Sequence, residues 1–313
     1  MIEFQIGDED HCRPLSSWLR LRMKDAPGGY VHQLVKKGHV TVNGATANDL
    51  TPLLSGDCIR LKESGRTSSL LTDERPPFDI LYEDGWIIVF NKPPGLPMHH
   101  AAEVGPDNLV ELATAYIRAR EQAAHPDRST TPSLRPINRL DRGTSGAVLL
   151  AKSSSAAGMF GRTVMESGLS KLYLALVSGR LNGSGEITAA VDGKEAATRY
   201  ESLAATGGSS LVALWPLTGR MHQLRQHLRH IGHPILGDRR YGGPPLPAYA
   251  GHLLHAFGTS FIHPDGDHPI ALFAPLPAGF LQMMRTVAGP SFRAVMLQLP
   301  ELVNCRHSQQ QPQ

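Results

Sequence analysis

Asn138-Arg139-Leu140-Asp141-Arg142-Gly143-Thr144-Ser145-Gly146-Ala147-Val148-Leu149-Leu150-Ala151 is the stretch from which the rest of the chain can be read. Its second half is an unbroken apolar run of strand length, the pattern of a buried strand. Its first half sets one carboxylate between two guanidinium groups, ahead of a Gly-Thr-Ser-Gly turn. Charged residues directly before a buried strand are held there by function or by a tight structural ion pair. For an isolated triplet the surface ion pair is the commoner outcome. Two distant segments shift the balance towards function.

The chain has 313 residues, enough for one large domain plus a small one. Its hydrophobic content of 41% supports a normal core. The net charge of +3 is mild, so the distribution of charge matters more than the sum. Cys12, Cys58 and Cys305 are far apart and form no Cys-x-x-Cys pair, which argues against a thiolate metal site or a disulfide framework and fits a reducing cytoplasm. Met1–Asp10 is acidic and lacks the apolar segment of a signal peptide. No run is apolar for long enough to span a bilayer.

Working outward, the chain divides into residues 11–62, 63–77, 78–303 and 304–313. The first region carries Arg13, Arg20, Arg22, Lys24, Lys36, Lys37, Arg60 and Lys62 against Asp25, Asp49 and Asp57, a local net charge of +5. Helical spacing over Pro14–Met23 and Tyr30–Lys37 predicts two helices, the second ended by Gly38. Alternation over His39–Val42, closed by Asn43-Gly44, predicts a hairpin strand, and Cys58–Leu61 another. Residues 63–77 are polar, end in Pro76-Pro77 and read as a linker. In the third region Trp86–Phe90 reads as a strand, and Asp107 as the N-cap of a helix carrying Leu109, Ala113 and Ile117. Residues 123–136 read as an exposed loop. Strands are expected over Lys171–Val177, Gly185–Val191, Ala197–Leu203 and Ser210–Leu214. So many strands without long crossover helices favour an α+β domain with a mostly antiparallel sheet. The Gln-rich end reads as a disordered tail.

The two distant segments are Lys171-Leu172-Tyr173 and Thr218-Gly219-Arg220-Met221-His222-Gln223-Leu224-Arg225-Gln226-His227, the latter running on to Gly232-His233-Pro234-Ile235-Leu236-Gly237-Asp238. With Arg139-Leu140-Asp141 they make a triple match, in order, that resembles the RluA family of RNA pseudouridine synthases. Asn91-Lys92-Pro93-Pro94-Gly95, Leu254-His255-Ala256 and Ala274-Pro275-Leu276-Pro277 also look familial. The resemblance spans about residues 78–280. The pattern Lys37-Gly38-His39-Val40-Thr41-Val42-Asn43-Gly44, followed by Gly56-Asp57-Cys58-Ile59, is similar to an S4 RNA-binding domain. Two positions depart from these patterns. Asn138 stands where the family motif has His, which bears on the local RNA contact and on substrate choice. Gly29-Tyr30 stands where the S4 helix has Ser-Arg.

The resemblance implies a pseudouridine synthase fold, with a mixed, mostly antiparallel sheet and flanking helices, joined to a small S4-like α/β domain. It implies isomerisation of uridine to pseudouridine, which breaks a C–N glycosidic bond, turns the base and forms a C–C bond to the same ribose. No redox change or external group is required, so no cofactor and no metal are expected. The chemistry needs an ionised carboxylate acting on the sugar C1′ or on the base. An arginine beside a carboxylate in a dry pocket holds it ionised. By resemblance Asp141 is that carboxylate, Arg225 its partner, and Tyr173 packs on the base and assists proton removal from C5. Arg139 fills the space left by the flipped nucleotide or contacts its phosphate, and Arg220, His222 and Gln223 join Lys36 and Lys37 as RNA contacts.

Family members with an appended S4 domain commonly act on large-subunit ribosomal RNA. That is the leading expectation for the partner of a cytoplasmic, monomeric enzyme. Transfer RNA as substrate, a non-catalytic RNA-binding or ribosome-assembly protein keeping the fold, and an S4-containing synthetase-like enzyme are the alternatives. His230-Ile231-Gly232-His233 spells a synthetase signature, but no Gly-rich nucleotide strand precedes it. His222, His227, His230 and His233 lack the spacing of a helical zinc site.

Overall fold

The computed structural model describes residues 1–23, 25–27, 29–72, 78–99, 108–124, 133–263, 265 and 269–304. The N-terminal unit is built from β1 (Ile2–Gln5), α1 (Leu15–Arg22), α2 (Tyr30–Lys36), β2 (Val40–Val42), β3 (Ala45–Thr46) and β4 (Cys58–Leu61). Its four strands form an antiparallel sheet in the order β1-β4-β2-β3. The amphipathic faces of the two helices bury Leu15, Trp18, Leu19, Val31, Leu34 and Val35 against Val40, Ile59 and Leu61 of the sheet. Asn43 and Gly44 both have positive φ (52° and 82°), the backbone that a two-residue hairpin turn demands.

Two features of this unit differ from the sequence reading. Ile2–Gln5 is a strand paired along its length with Cys58–Leu61, so the unit begins before His11. Within 63–77, Gly65–Leu70 is a helix (α3), capped by the Ser64 hydroxyl, which accepts from the Thr67 N–H. Residues 73–77 lie outside the described residues.

The large unit contains β5 (Ile80–Glu83), β6 (Ile87–Lys92), α4 (Leu109–Ala124), β7 (Arg135–Pro136), β8 (Ser145–Ala151), α5 (Ser154–Ser167), β9 (Ser170–Ser178), β10 (Ser184–Ile187), β11 (Thr198–Ala205), β12 (Ser209–Pro216), α6 (Gln223–His230), β13 (Leu254–Ile262), β14 (Pro269–Phe273), α7 (Ala278–Ala288) and α8 (Phe292–Asn304). Ten strands make one sheet, β10-β11-β12-β9-β13-β8-β6-β5, with β14 on β13 and β7 on β8. Among the described pairs only β8 and β13 run parallel, so the sheet is mixed and mostly antiparallel, as expected. The helix expected after Asp107 is present; Asn108 caps it, its Oδ1 accepting from the Glu111 N–H, and Asp107 itself lies outside the described residues. The 304–313 tail is likewise outside them from residue 305 onward.

The apolar run of the opening stretch is β8. Val148 and Leu150 face one core with Ile88 and Phe90, while Ala147 and Leu149 face a second with Ile87 and Val89. A strand covered on both faces has no polar alternation to show. Residues of α4, α6, α7 and α8 cover the first face, and Phe160 of α5 covers the second.

The two units are joined by a buried ion-pair node. Arg13 donates through Nε to Asp10 (2.7 Å) and through Nη1 and Nη2 to Asp79 (2.5 and 3.1 Å). Beside it, Ser17 donates to the Ile80 carbonyl, and His11 Nε2 lies 2.7 Å from the Met296 carbonyl oxygen.

Candidate active site

The loop between β7 and β8 carries Asp141 to the start of the sheet's most buried strand. Three devices fix it. Asn138 takes the place of a strand partner for β8, donating to the Ala147 carbonyl (3.1 Å) and accepting from the Leu149 N–H (2.8 Å). It fills the edge of β8 between the residues paired with β13 and those paired with β7. The departure at position 138 is therefore absorbed by the scaffold: both ends of its amide are spent on β8. Next, Gly146 has φ 114° and packs so closely on Ala256 that a Cβ there would overlap its carbonyl oxygen. Finally, the Arg142 carbonyl accepts from Gly95 N–H (2.8 Å) and from the Lys92 ammonium (3.1 Å). Lys92 is fully buried and also donates to the Pro93 and Leu96 carbonyls, both at 2.9 Å. Burial lowers its pKa to about 7, opposed by the charge of nearby Asp141.

Asp141 itself is partly exposed, and the motif residues converge on it. Its Oδ2 accepts from Arg225 Nη1 at 2.9 Å. Arg225 is buried on α6 and is gripped from behind by Asp238, Nε to Oδ2 at 2.7 Å and Nη2 to Oδ1 at 2.8 Å. Burial opposes ionisation of Asp238, but the hydrogen bonds and charge of Arg225 outweigh it and hold that carboxyl below the usual range. Arg225 thus spans two carboxylates, one structural and one facing the opening. The Asp141 Oδ1 faces Nε2 of His222 across 3.6 Å, too long for a hydrogen bond. His222 caps α6 with a left-handed backbone (φ 55°), and its Nδ1 lies 2.9 Å from the Tyr241 hydroxyl. Burial, assisted by the charges of Arg225 and Arg240, lowers the His222 pKa despite Asp141. Tyr173, on β9 two strands from β8, is buried, and burial together with the Asp141 charge raises its pKa. Asp141, Tyr173, Arg225 and His222, drawn from the three separated motifs, therefore lie together in the fold.

Other residues sit elsewhere. Gln223 is buried: its amide donates to Ala197 O and Thr198 Oγ1, and its oxygen accepts from Thr218 Oγ1 and the Arg220 N–H. It shapes the 218–222 turn and presents nothing to RNA, contrary to the sequence reading. Arg139 and Arg220 are exposed, and Arg220 spends one N–H on the Glu195 carbonyl. Lys36 and Lys37 are exposed at the end of α2. Part of the local charge of +5 is buried or paired: Arg13 is buried against Asp10 and Asp79, the exposed Arg60 pairs with Glu3, and Arg22 lies over Phe4 and Trp18. The four histidines diverge. His227 bridges Thr198 and Ala189, His233 binds Ser178, His222 faces Asp141 and His230 is exposed. Gly232 (φ 82°) closes α6 through His233 N–H to Leu228 O, so the synthetase-like tetrapeptide is a helix C-cap.

Asp238, Tyr241, Lys92 and His252 are participants that the sequence reading gave no role. His252 Nε2 lies 2.8 Å from Thr144 Oγ1, and its ring packs over Gly143. The familial stretches Asn91–Gly95 and Gly237-Asp238 contain Lys92 and Asp238 without giving them a role, and chain spacing alone does not reveal which side chains turn inward.

Residues 86–230 match the family model described as RNA pseudouridylate synthase. The ribosomal large subunit pseudouridine synthase C of Vibrio parahaemolyticus is 31% identical over 306 residues, 88% of this chain and 93% of that one. The enzyme of the same name from Escherichia coli K12 is 30% identical, covering 87% and 92% respectively. Among solved structures, the human RNA pseudouridylate synthase domain containing 1 protein is 25% identical, with a TM-score of 0.53, over 75% of this chain and 97% of that one.

Proposed function

Because the chain belongs to the RluA family of RNA pseudouridine synthases, we propose that its substrate is a uridine of large-subunit ribosomal RNA and that Asp141 carries the isomerisation. The observation that carries this reading is the Asp141 carboxylate, with one oxygen on Arg225 and the other open to the site. Arg225 cannot swing away, because Asp238 holds its other edge. The open oxygen acts on the uridine, and the buried Tyr173 ring beneath it packs on the detached base while it turns.

A base within a helix must first leave the stack, at a cost of roughly a few kcal/mol. Arg139 and Arg220, both exposed beside the site, offset that cost through phosphate contacts. The N-terminal unit, read as an S4-like domain, adds affinity through Lys36 and Lys37. Ribosomal rather than transfer RNA is favoured because the relatives that span both units carry ribosomal large subunit names.

The test is a comparison of pseudouridine positions across total RNA from cells with and without this protein. One or more large-subunit sites that vanish with the protein support the reading. Loss confined to transfer RNA contradicts the proposed substrate.

A further inference from the structure

We propose that Tyr241 is a positioning residue: its hydroxyl donates to Nδ1 of His222 and so keeps the single proton of the neutral imidazole on Nε2, facing the open oxygen of Asp141. The proposal rests on the reading of Asp141 as the reacting carboxylate. Three contacts carry it. The Tyr241 hydroxyl lies 2.9 Å from His222 Nδ1, and the two rings meet edge to face with centroids 5.7 Å apart. On its other side the imidazole points Nε2 at Asp141 Oδ1, 3.6 Å away. The Tyr241 ring also lies beneath the Arg225 guanidinium, 4.9 Å from ring centroid to Cζ.

A neutral imidazole has one N–H, and the group hydrogen-bonded to one nitrogen decides which nitrogen carries it. With the proton on Nδ1, the lone pair of Nε2 would face a carboxylate oxygen, like sign against like. With the proton on Nε2, an N–H dipole points at the carboxylate and Nδ1 accepts from Tyr241. The carboxylate biases the proton towards Nε2, and the Tyr241 hydroxyl, donating, satisfies the Nδ1 lone pair that this tautomer leaves; without the hydroxyl that lone pair has no donor from Tyr241 and the bias weakens. Burial keeps the imidazole neutral. His222 holds a left-handed backbone at φ 55°, uncommon for a residue with a side chain, and such strain persists where the surroundings over-determine it. Tyr241 thereby touches both groups that flank the Asp141 carboxylate, Arg225 through its face and His222 through its hydroxyl. It lies three residues past Asp238, whose carboxylate grips the same arginine. The 3.6 Å gap between Nε2 and Oδ1 leaves the N–H free to meet an incoming uridine oxygen or the carboxylate itself.

Tyr241→Phe removes only the hydroxyl and keeps the ring under Arg225. In full-length protein labelled with ¹⁵N-histidine, long-range ¹H–¹⁵N correlations report the tautomer of each ring, and the His222 signals are those lost in His222→Gln. The expected spectrum has His222 protonated on Nε2, with Tyr241→Phe giving a mixture of tautomers. Single-turnover pseudouridine formation is expected to slow about tenfold in Tyr241→Phe, with RNA Kd changed by less than about twofold. In a His222→Gln background the same substitution should cost less than about twofold, because the hydroxyl acts through the imidazole. Protonation on Nδ1 in the wild-type protein, or an undiminished rate in Tyr241→Phe, or an equal loss in both backgrounds overturns the proposal. The tautomer is read without turnover. A failure of Asp141 as the reacting group, seen as full activity in Asp141→Asn, is therefore distinguishable from a failure of Tyr241.

Discussion

Asp141, Arg225 and Tyr173 were legible in the sequence because each lies in a motif whose spacing is distinctive. Their supports were not, because what makes Asp238 a support is the inward turn at Gly237 (φ 86°), which brings it back under α6. Gln223 misled for the converse reason: it is polar, it sits in the motif, and it faces inward. Asp238→Asn removes the charge and one of the two hydrogen bonds that grip Arg225 from behind, leaving the guanidinium freer to reorient. Turnover is expected to fall about 10- to 100-fold, with RNA affinity nearly retained; single-turnover rates and filter-binding isotherms separate the two. Buried histidines make a second residue-scale prediction. His255 is fully buried between Ser145 and Ala274, and burial lowers its pKa to about 4 from the ordinary 6.5. The unfolded chain takes up a proton on falling below 6.5 while the folded one resists until about 4, so acid in that window favours unfolding. For His255 alone the loss is about 2 kcal/mol by pH 5. Urea unfolding between pH 7 and pH 5 measures it, and His255→Gln should flatten the slope; equal slopes in the two proteins would contradict it.

At the scale of elements, β8 organises everything else. Its continuous apolar run was readable as a buried strand, but its neighbours were not, since a strand covered on both faces gives no alternation from which to infer sides. Its parallel partner β13 comes from more than 100 residues later, a pairing that no local pattern encodes. Some elements that the sequence reading did not assign are short: β1 has four residues on a sheet edge, and α3 has six within a polar stretch. Others are long, namely α5, β13, α7 and α8. Asn138 is the element-scale surprise. The sequence offered it as a specificity position, and the fold uses it to close the edge of β8. Asn138→Leu strands the Leu149 N–H and the Ala147 carbonyl and should lower stability by about 2–4 kcal/mol, while the pattern of modified uridines stays unchanged. Calorimetry and modification mapping of that variant check both halves. Changed targets with unchanged stability would restore the first reading.

For the whole molecule, the division into a small basic unit and a large sheet domain was evident from charge and composition. How the two units join was not, because Arg13 is counted in the sequence as a basic surface residue and is instead buried between Asp10 and Asp79. Arg13→Met leaves those carboxylates unpaired and should cost about 3–5 kcal/mol, seen in denaturant titration. The charge available for the proposed RNA contact is correspondingly smaller than the local sum, and Lys36 and Lys37 are among the residues that remain exposed, at the end of α2. Replacing both with alanine should reduce the slope of log affinity against log salt by about 1–2, measured on one large-subunit RNA fragment. On the proposed reading, the two units together deliver one uridine to one carboxylate. That claim is tested most directly by tritium release from large-subunit ribosomal RNA carrying 5-tritiated uridine, with wild-type protein and with Asp141→Asn. The account predicts release by the wild type and none by the variant, with RNA binding within a few fold of wild type. Release by Asp141→Asn at the wild-type rate would contradict it.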